Sequence, residues 1–107
     1  MAKRDPLLGE IAALLAGAEA ADDPARIERT LTDGYARALA LEAERRRLEQ
    51  RVRALSLAVG RGDAVQRREL AQLVRDMERH EGELDELRGD LGRLRRRHSS
   101  AVRAQLV

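Results

Sequence analysis

Apolar residues recur at alternating intervals of four and three positions along two long stretches of the chain. In the first stretch the repeated positions are Ile27, Leu31, Gly34, Ala38, Leu41, Arg45, Leu48, Val52, Leu55 and Val59. In the second stretch they are Gln66, Leu70, Leu73, Met77, His80, Leu84, Leu87, Leu91, Leu94 and His98. A repeat that averages 3.5 residues over this length is typical of helices that wind into a left-handed coiled coil.

Two Asp-Pro dipeptides predict where helices begin. Asp5-Pro6 and Asp23-Pro24 each place a carboxylate at the N-cap and a proline at the first helical position. The aspartate can accept a hydrogen bond from an unpaired backbone N–H, and proline tolerates the first turn because its missing donor is not needed there. The first of these starts precedes a short amphipathic segment, and the second precedes the first long repeat.

A glycine-rich turn separates the two long repeats. Gly60 and Gly62 are typical of a helix end, and Asp63 with Gln66 three residues later resembles a capping box that begins the next helix. The predicted elements are a short helix over 6–18, a long helix over 24–59, a turn over 60–62, a long helix over 63–98 and a frayed tail over 99–107.

A turn this short forces the two long helices to run antiparallel. Centring the pairing on the turn places Leu48 beside Met77 and Gly34 beside Leu91. The predicted fold is therefore all-α and a single domain over 1–107: a short N-terminal helix followed by a long antiparallel coiled-coil hairpin that assembles into a helical bundle.

The composition supports this fold and argues against catalysis. Charged residues make up 37% of the chain and aromatic residues only 1%, which is typical of coiled coils and long helices. The chain has 0 cysteines, so the sequence offers no disulfide framework, thiolate nucleophile or cysteine-bound zinc. We find no convergent acid, base and nucleophile, and we expect a protein that is not an enzyme and has no cofactor and no metal site.

One layer of the predicted hairpin is polar, since Arg45 and His80 fall opposite each other. The positions that flank this layer hold Glu42, Glu44, Glu81 and Glu83. A buried polar layer of this kind can fix the register of a coiled coil. Alternatively, a histidine beside carboxylates can make the layer sensitive to pH. A metal site is the least favoured interpretation, because Arg45 would repel the ion.

Small and apolar residues also lie away from the predicted seam between the long helices. Such a surface predicts a covering element. The short helix can fold back along residues 27–43, or a second chain can dock to give a four-helix bundle, and the two are compatible; we expect self-association. The predicted face comprises Ala36, Leu39, Ala40, Ala43, Gly82, Gly89, Gly92, Leu7, Leu8, Ile11, Leu14 and Leu15.

A basic cluster marks the end of the second long helix and could contact phosphates: Arg93, Arg95, Arg96, Arg97 and His98. The chain has only one Tyr and no Phe or Trp, which disfavours recognition of single strands by base stacking.

The predicted function is a non-enzymatic protein–protein interaction module, which acts as a scaffold, adaptor or assembly chaperone and binds itself and an unidentified protein. The alternative is a nucleic-acid-associated protein that binds phosphates through the basic cluster.

No stretch of 18 apolar residues is present, so no membrane contact is expected. Gly9 and Glu10 interrupt the first apolar run, which argues against a secretory signal and favours the cytoplasm. The Arg-, Ala- and Leu-rich composition indicates a bacterial source.

Overall fold

The computed structural model describes residues 5–17, 23–59 and 64–106. In these ranges the chain forms three α-helices and no strand: α1 (Pro6–Leu15), α2 (Pro24–Val59) and α3 (Ala64–Leu106). The helices α2 and α3 pack against each other as a helical hairpin, which confirms the predicted all-α fold. The turn predicted at 60–62 and the cap predicted at Asp63 lie outside the described residues.

Both predicted aspartate caps are present at the starts of α1 and α2. The Leu7 N–H donates to Oδ1 of Asp5 at 3.0 Å, and the Ala25 N–H donates to Oδ1 of Asp23 at 3.1 Å. Each carboxylate thus satisfies a backbone donor that has no partner within its own helix. A proline follows each cap, and because its ring restricts the backbone angle φ to a helical value, the first residue of each helix is already in a helical conformation.

The helix α1 ends earlier than predicted, at Leu15 instead of 18. Gly17 adopts a left-handed backbone conformation with φ of 85°. Its N–H donates to the carbonyl of Leu14 at 3.3 Å. Glycine takes this conformation without a Cβ clash, and a left-handed glycine after a helix is a common way to end it.

The frayed tail predicted at 99–107 is wrong for the described residues, because α3 continues to Leu106. The Ser99 hydroxyl donates to the Arg95 carbonyl at 3.2 Å. The serine side chain thus bonds to the carbonyl four residues earlier in the same helix, and the Ser-Ser pair does not end α3. Ala101, two residues further on, is buried, so packing holds this part of α3 in place.

Contacts between residues group the chain into two units. Unit 1 comprises Met1–Ala38 and Glu86–Val107, and unit 2 comprises Leu39–Asp85. Unit 1 therefore contains α1 with the first part of α2 and the last part of α3, whereas unit 2 contains segments of α2 and α3 only. The prediction of a single domain stays a prediction.

In unit 1, α1 folds back on the same chain. Ile11 and Leu14 are each 1% exposed, and burial of such side chains stabilises a fold by roughly 1.5–3 kcal/mol each. Two ion pairs accompany this packing: Arg26 to Glu10 at 2.7 Å and Arg37 to Asp5 at 2.9 Å. Since the earlier residue of α1 pairs with the later residue of α2, the two helices run antiparallel.

The predicted register of α2 and α3 is confirmed in unit 1 at the pairing of Gly34 with Leu91. A Cβ added to Gly34 would overlap the Cδ2 methyl of Leu91. Leu91 is itself buried, so its side chain has little room to move. The glycine is required here by close approach, since a small residue on α2 faces a large one on α3.

Unit 2 has a much thinner core than unit 1. Among its described residues only Leu84 is buried. The other large apolar residues of its heptad seam whose burial is described are half-buried: Leu41, Leu48, Val52, Leu55, Leu70, Leu73 and Met77. Two packed helices leave part of the seam between them accessible to water. The described residues of unit 2 belong to α2 and α3 alone, so no third helix among them buries the rest of the seam.

We predict opposite effects for the same substitution at two glycines. Gly82 has no atom within 4 Å of an added Cβ, so Gly82→Ala should raise the free energy of unfolding by up to about 1 kcal/mol through helix propensity. Gly34→Ala should lower it by about 1 kcal/mol, because overpacking a buried site costs roughly 1–3 kcal/mol and exceeds that gain. Urea unfolding followed by circular dichroism measures both. Equal stabilisation by both variants would contradict the register.

Candidate functional site

The polar layer of unit 2 is built around His80, which α3 presents to α2. Its Nε2 lies 2.9 Å from Oε2 of Glu44 on α2, and its Nδ1 lies 3.0 Å from the backbone carbonyl oxygen of Asp76 on its own helix. Both partners are acceptors. A neutral imidazole carries one N–H and can satisfy only one of them, whereas the imidazolium donates to both.

This geometry raises the pKa of His80. The hydrogen bond to the Asp76 carbonyl is the largest cause and the hydrogen bond to the Glu44 carboxylate is the second. Partial burial opposes these effects, and the negative charges of Glu44 and Glu83 add to them. The geometry therefore favours the pH-sensitive interpretation of the layer over one in which the polar residues only fix the register.

Arg45, the predicted partner of His80 in this layer, has different surroundings. Its Nε lies 3.7 Å from Oε1 of Glu49, one turn further along α2. This Nε is shielded from solvent and has no hydrogen-bond partner within the described chain. The Nε atom thus lies near a carboxylate without a hydrogen bond to it. Of the remaining predicted members, Glu42 has an interaction within the chain, and Glu81 is half-buried.

A groove lies beside this layer in unit 2. It is lined by Glu44, Arg47, Leu48, Arg51 and His80. Arg47 and Arg51 lie one helical turn apart on α2, and both side chains are exposed. Neither arginine makes an ion pair with a described residue. The sequence places these two arginines in a second basic cluster with Arg45, Arg46 and Arg53.

The N-terminal part of the predicted self-association face needs a correction. Ile11 and Leu14 are buried inside unit 1, so they are not available to a second molecule. Their apolar stripe is satisfied by the same chain. Leu7 and Leu15 are half-buried, and only Leu8, at 47% exposed, presents a large part of its surface to solvent.

The remaining residues of that predicted face lie on α2 and α3. Ala36, Leu39 and Ala40 are exposed, and Ala43 is half-buried. The three glycines of α3 have no packing partner from another helix among the described residues: Gly82 faces open space, and Gly89 and Gly92 lie near the guanidinium groups of Arg93 and Arg96 on their own helix.

The predicted phosphate-binding cluster is partly neutralised by its neighbours. Arg93 pairs with Asp90, and Nε2 of His98 lies 4.0 Å from Oε2 of Glu28. Arg97 also has an interaction within the chain. Arg95 and Arg96 are exposed and make no ion pair with the described part of the chain. Two of the five residues are therefore left to contact an external anion.

The described ranges contain neither a metal-binding cluster nor a membrane-spanning helix. Over 5–17, 23–59 and 64–106, no group of three or more His, Asp or Glu side chains is placed to hold a metal ion. Over the same ranges, no helix combines the length and the apolar character needed to cross a membrane.

Comparisons with known proteins found no relative of this chain. No protein-family model matches the sequence. No curated protein matches it, and no solved structure matches its fold. The function therefore has to be inferred from the residues and their geometry.

We predict that the free energy of unfolding falls as the pH rises above neutrality because of His80. Its pKa is raised in the folded chain, so its stabilisation is fully present below the unfolded pKa of about 6.5 and is lost as the pH rises through the higher folded pKa. Glu44 is half exposed, which limits the contribution to about 0.5 kcal/mol. Urea unfolding at about pH 6 and about pH 8.5 measures it.

His80→Gln should remove most of this pH dependence. His98→Gln is the matched control for the removal of a histidine, because the chain has only 2 histidines. An unchanged pH dependence in His80→Gln would show that the hydrogen bonds of His80 do not stabilise the fold.

Proposed function

We propose that this chain is a non-enzymatic protein–protein interaction module that self-associates, and that it acts as a scaffold, adaptor or assembly chaperone. The observation that supports this proposal is the half-buried seam of unit 2. The heptad repeat places large apolar residues along this seam, yet among the described residues of the unit only Leu84 is buried. A contact with another protein would complete the burial.

The physical reason is the cost of leaving apolar surface in water. Each Å² of apolar surface removed from water contributes roughly 25 cal/mol. A partner that buries the remaining exposed surface of the half-buried leucines in unit 2 would therefore be bound favourably. Three further apolar side chains of unit 2 are largely exposed: Leu39 at 64%, Leu57 at 83% and Val65 at 65%. Exposed apolar surface of this kind is typical of a protein interaction site.

Nucleic-acid association through the basic cluster is the alternative function. Arg95 and Arg96 support it, because both are exposed and unpaired within the described chain. The pairing of Arg93 with Asp90 weakens it, and so does the neighbouring carboxylate of Glu28 at His98. Each arginine that contacts a phosphate releases a counterion from the nucleic acid and so adds to the affinity. A cluster with only two unpaired arginines is therefore expected to bind weakly. A bacterial source, inferred from the composition, and a cytoplasmic setting, inferred from the interrupted first apolar run, remain part of the proposal.

The two functions are separated by the molar mass of the chain and its affinity for DNA. Light scattering behind size exclusion, at two protein concentrations, should give a mass above the 12.0 kDa of one chain. Fluorescence anisotropy with a labelled DNA duplex at physiological salt should show no binding. A monomer at both concentrations, together with salt-dependent DNA binding that Arg95→Glu with Arg96→Glu abolishes, would contradict the proposal and support the alternative.

A further inference from the structure

In unit 1, the helix α1 covers one side of the seam between α2 and α3. If Ile27 is counted as position d of a heptad abcdefg, the two arginines of α2 that pair with α1 are at positions c and g, Arg26 and Arg37 respectively. Thr30, another g position, is only 5% exposed. The helix α1 therefore lies on the side of the seam that the c and g positions of α2 border, the c/g side.

The helix α1 combines an apolar face with carboxylates that point to α2. Over 5–17 its only charged residues are Asp5 and Glu10, and both make ion pairs with arginines of α2. Ile11 and Leu14 supply the buried apolar face. In this chain, a third helix is thus held on the c/g side by apolar contact with the seam and by carboxylates that meet arginines at its border.

The groove of unit 2 lies on the c/g side of its own seam. In the same heptad count, Arg47 is a c position and Arg51 is a g position, and both line the groove with Leu48 of the seam. Both arginines are exposed, and neither makes an ion pair with a described residue. Glu44 also lines the groove, but its carboxylate is bonded to His80. Unit 2 thus offers an apolar seam bordered by unpaired cations.

The α3 wall of the c/g side determines the charge of the other edge of a docked helix. In unit 1, Arg97 at a g position of α3 lies 3.9 Å from a Cβ added to Gly17, just after α1, so the g positions of α3 border the c/g side as well. The g positions of α3 in unit 2 are all acidic: Glu69, Asp76 and Glu83. A helix docked there therefore carries its carboxylates on the edge toward α2 only.

We propose that the c/g side of unit 2 binds an amphipathic helix of a partner protein, whose apolar face covers Leu48 and whose carboxylates pair with Arg47 and Arg51. These arginines lie one helical turn apart, so the matching carboxylates are spaced by about one turn. This inference rests on the proposed function as an interaction module and names the chemistry of the unidentified partner. The other side of the seam in unit 2 is left for self-association.

A synthetic acidic helix serves as the probe. It has about 20 residues, because shorter isolated helices are marginal in water, with leucines on one face, glutamates along one edge and glutamines along the other. The control peptide has lysine in place of every glutamate. Fluorescence anisotropy of the labelled peptides, titrated with the full chain at about 0.1 M salt, should show that the acidic peptide binds at least about tenfold more tightly than the lysine peptide.

Two double variants of the full chain locate the bound peptide. Arg47→Glu with Arg51→Glu should weaken binding of the acidic peptide at least about tenfold and make the lysine peptide the tighter ligand. Arg46→Glu with Arg53→Glu is the matched control, because it makes the same change of net charge in the same segment of α2, at exposed b positions on the other side of the seam. It should bind the acidic peptide within about threefold of the wild type.

Circular dichroism establishes that each variant is helical before it is titrated. If Arg47→Glu with Arg51→Glu loses helix content, Arg47→Gln with Arg51→Gln takes its place, and the acidic peptide should be weakened by a smaller factor. Equal binding of the two peptides to the wild type, or an equal effect of the two double variants on the acidic peptide, would overturn the proposed site.

Sedimentation equilibrium without peptide tests self-association separately. A wild-type dimer that does not bind the acidic peptide, and that Arg47→Glu with Arg51→Glu weakens, would show that a second copy occupies the c/g side. That result would overturn the assignment to a partner helix while self-association stands. A monomer that binds the acidic peptide through Arg47 and Arg51 would overturn self-association and support the proposed site.

Discussion

The burial of the apolar seam between α2 and α3 depends on how many helices pack around it. The same heptad repeat runs through both units. Its apolar residues are buried in unit 1, whereas in unit 2 those whose burial is described are half-buried apart from Leu84. The difference follows from the number of helices, since α1 contributes Ile11 and Leu14 to unit 1 and unit 2 has only segments of α2 and α3. Because stability increases with the apolar area removed from water, we expect unit 2 to be the less stable of the two units.

The polar chemistry of the chain divides in the same way. In unit 1, Arg26 and Arg37 bind carboxylates of α1, and arginine keeps its charge throughout the physiological pH range. In unit 2, the bond between the helices is made by His80 and Glu44, and histidine changes its charge near neutrality. The unit with the thinner core thus carries a bond that is predicted to respond to pH, because the imidazolium can donate to both of its acceptors and the neutral imidazole to only one.

The sequence was sufficient to predict what depends on regular spacing. The heptad repeat predicted that Gly34 faces Leu91, and the structure confirms that pairing. The burial of Ile11 and Leu14 within the same chain could not be predicted, because an apolar stripe does not specify which molecule will cover it. The bond from His80 to Glu44 could not be predicted either, because long side chains in one polar layer have several partners within reach, and local geometry selects among them.

Hydrogen–deuterium exchange at two protein concentrations tests most directly the claim that unit 2 is incomplete until a second molecule covers it. The account predicts that amides of unit 1 exchange at a rate independent of protein concentration, because their core is closed by α1. Amides over 39–59 and 64–85 should exchange rapidly in dilute protein and become protected as the concentration rises. Equal and concentration-independent protection in the two units would show that two helices alone complete the fold, which would contradict the account.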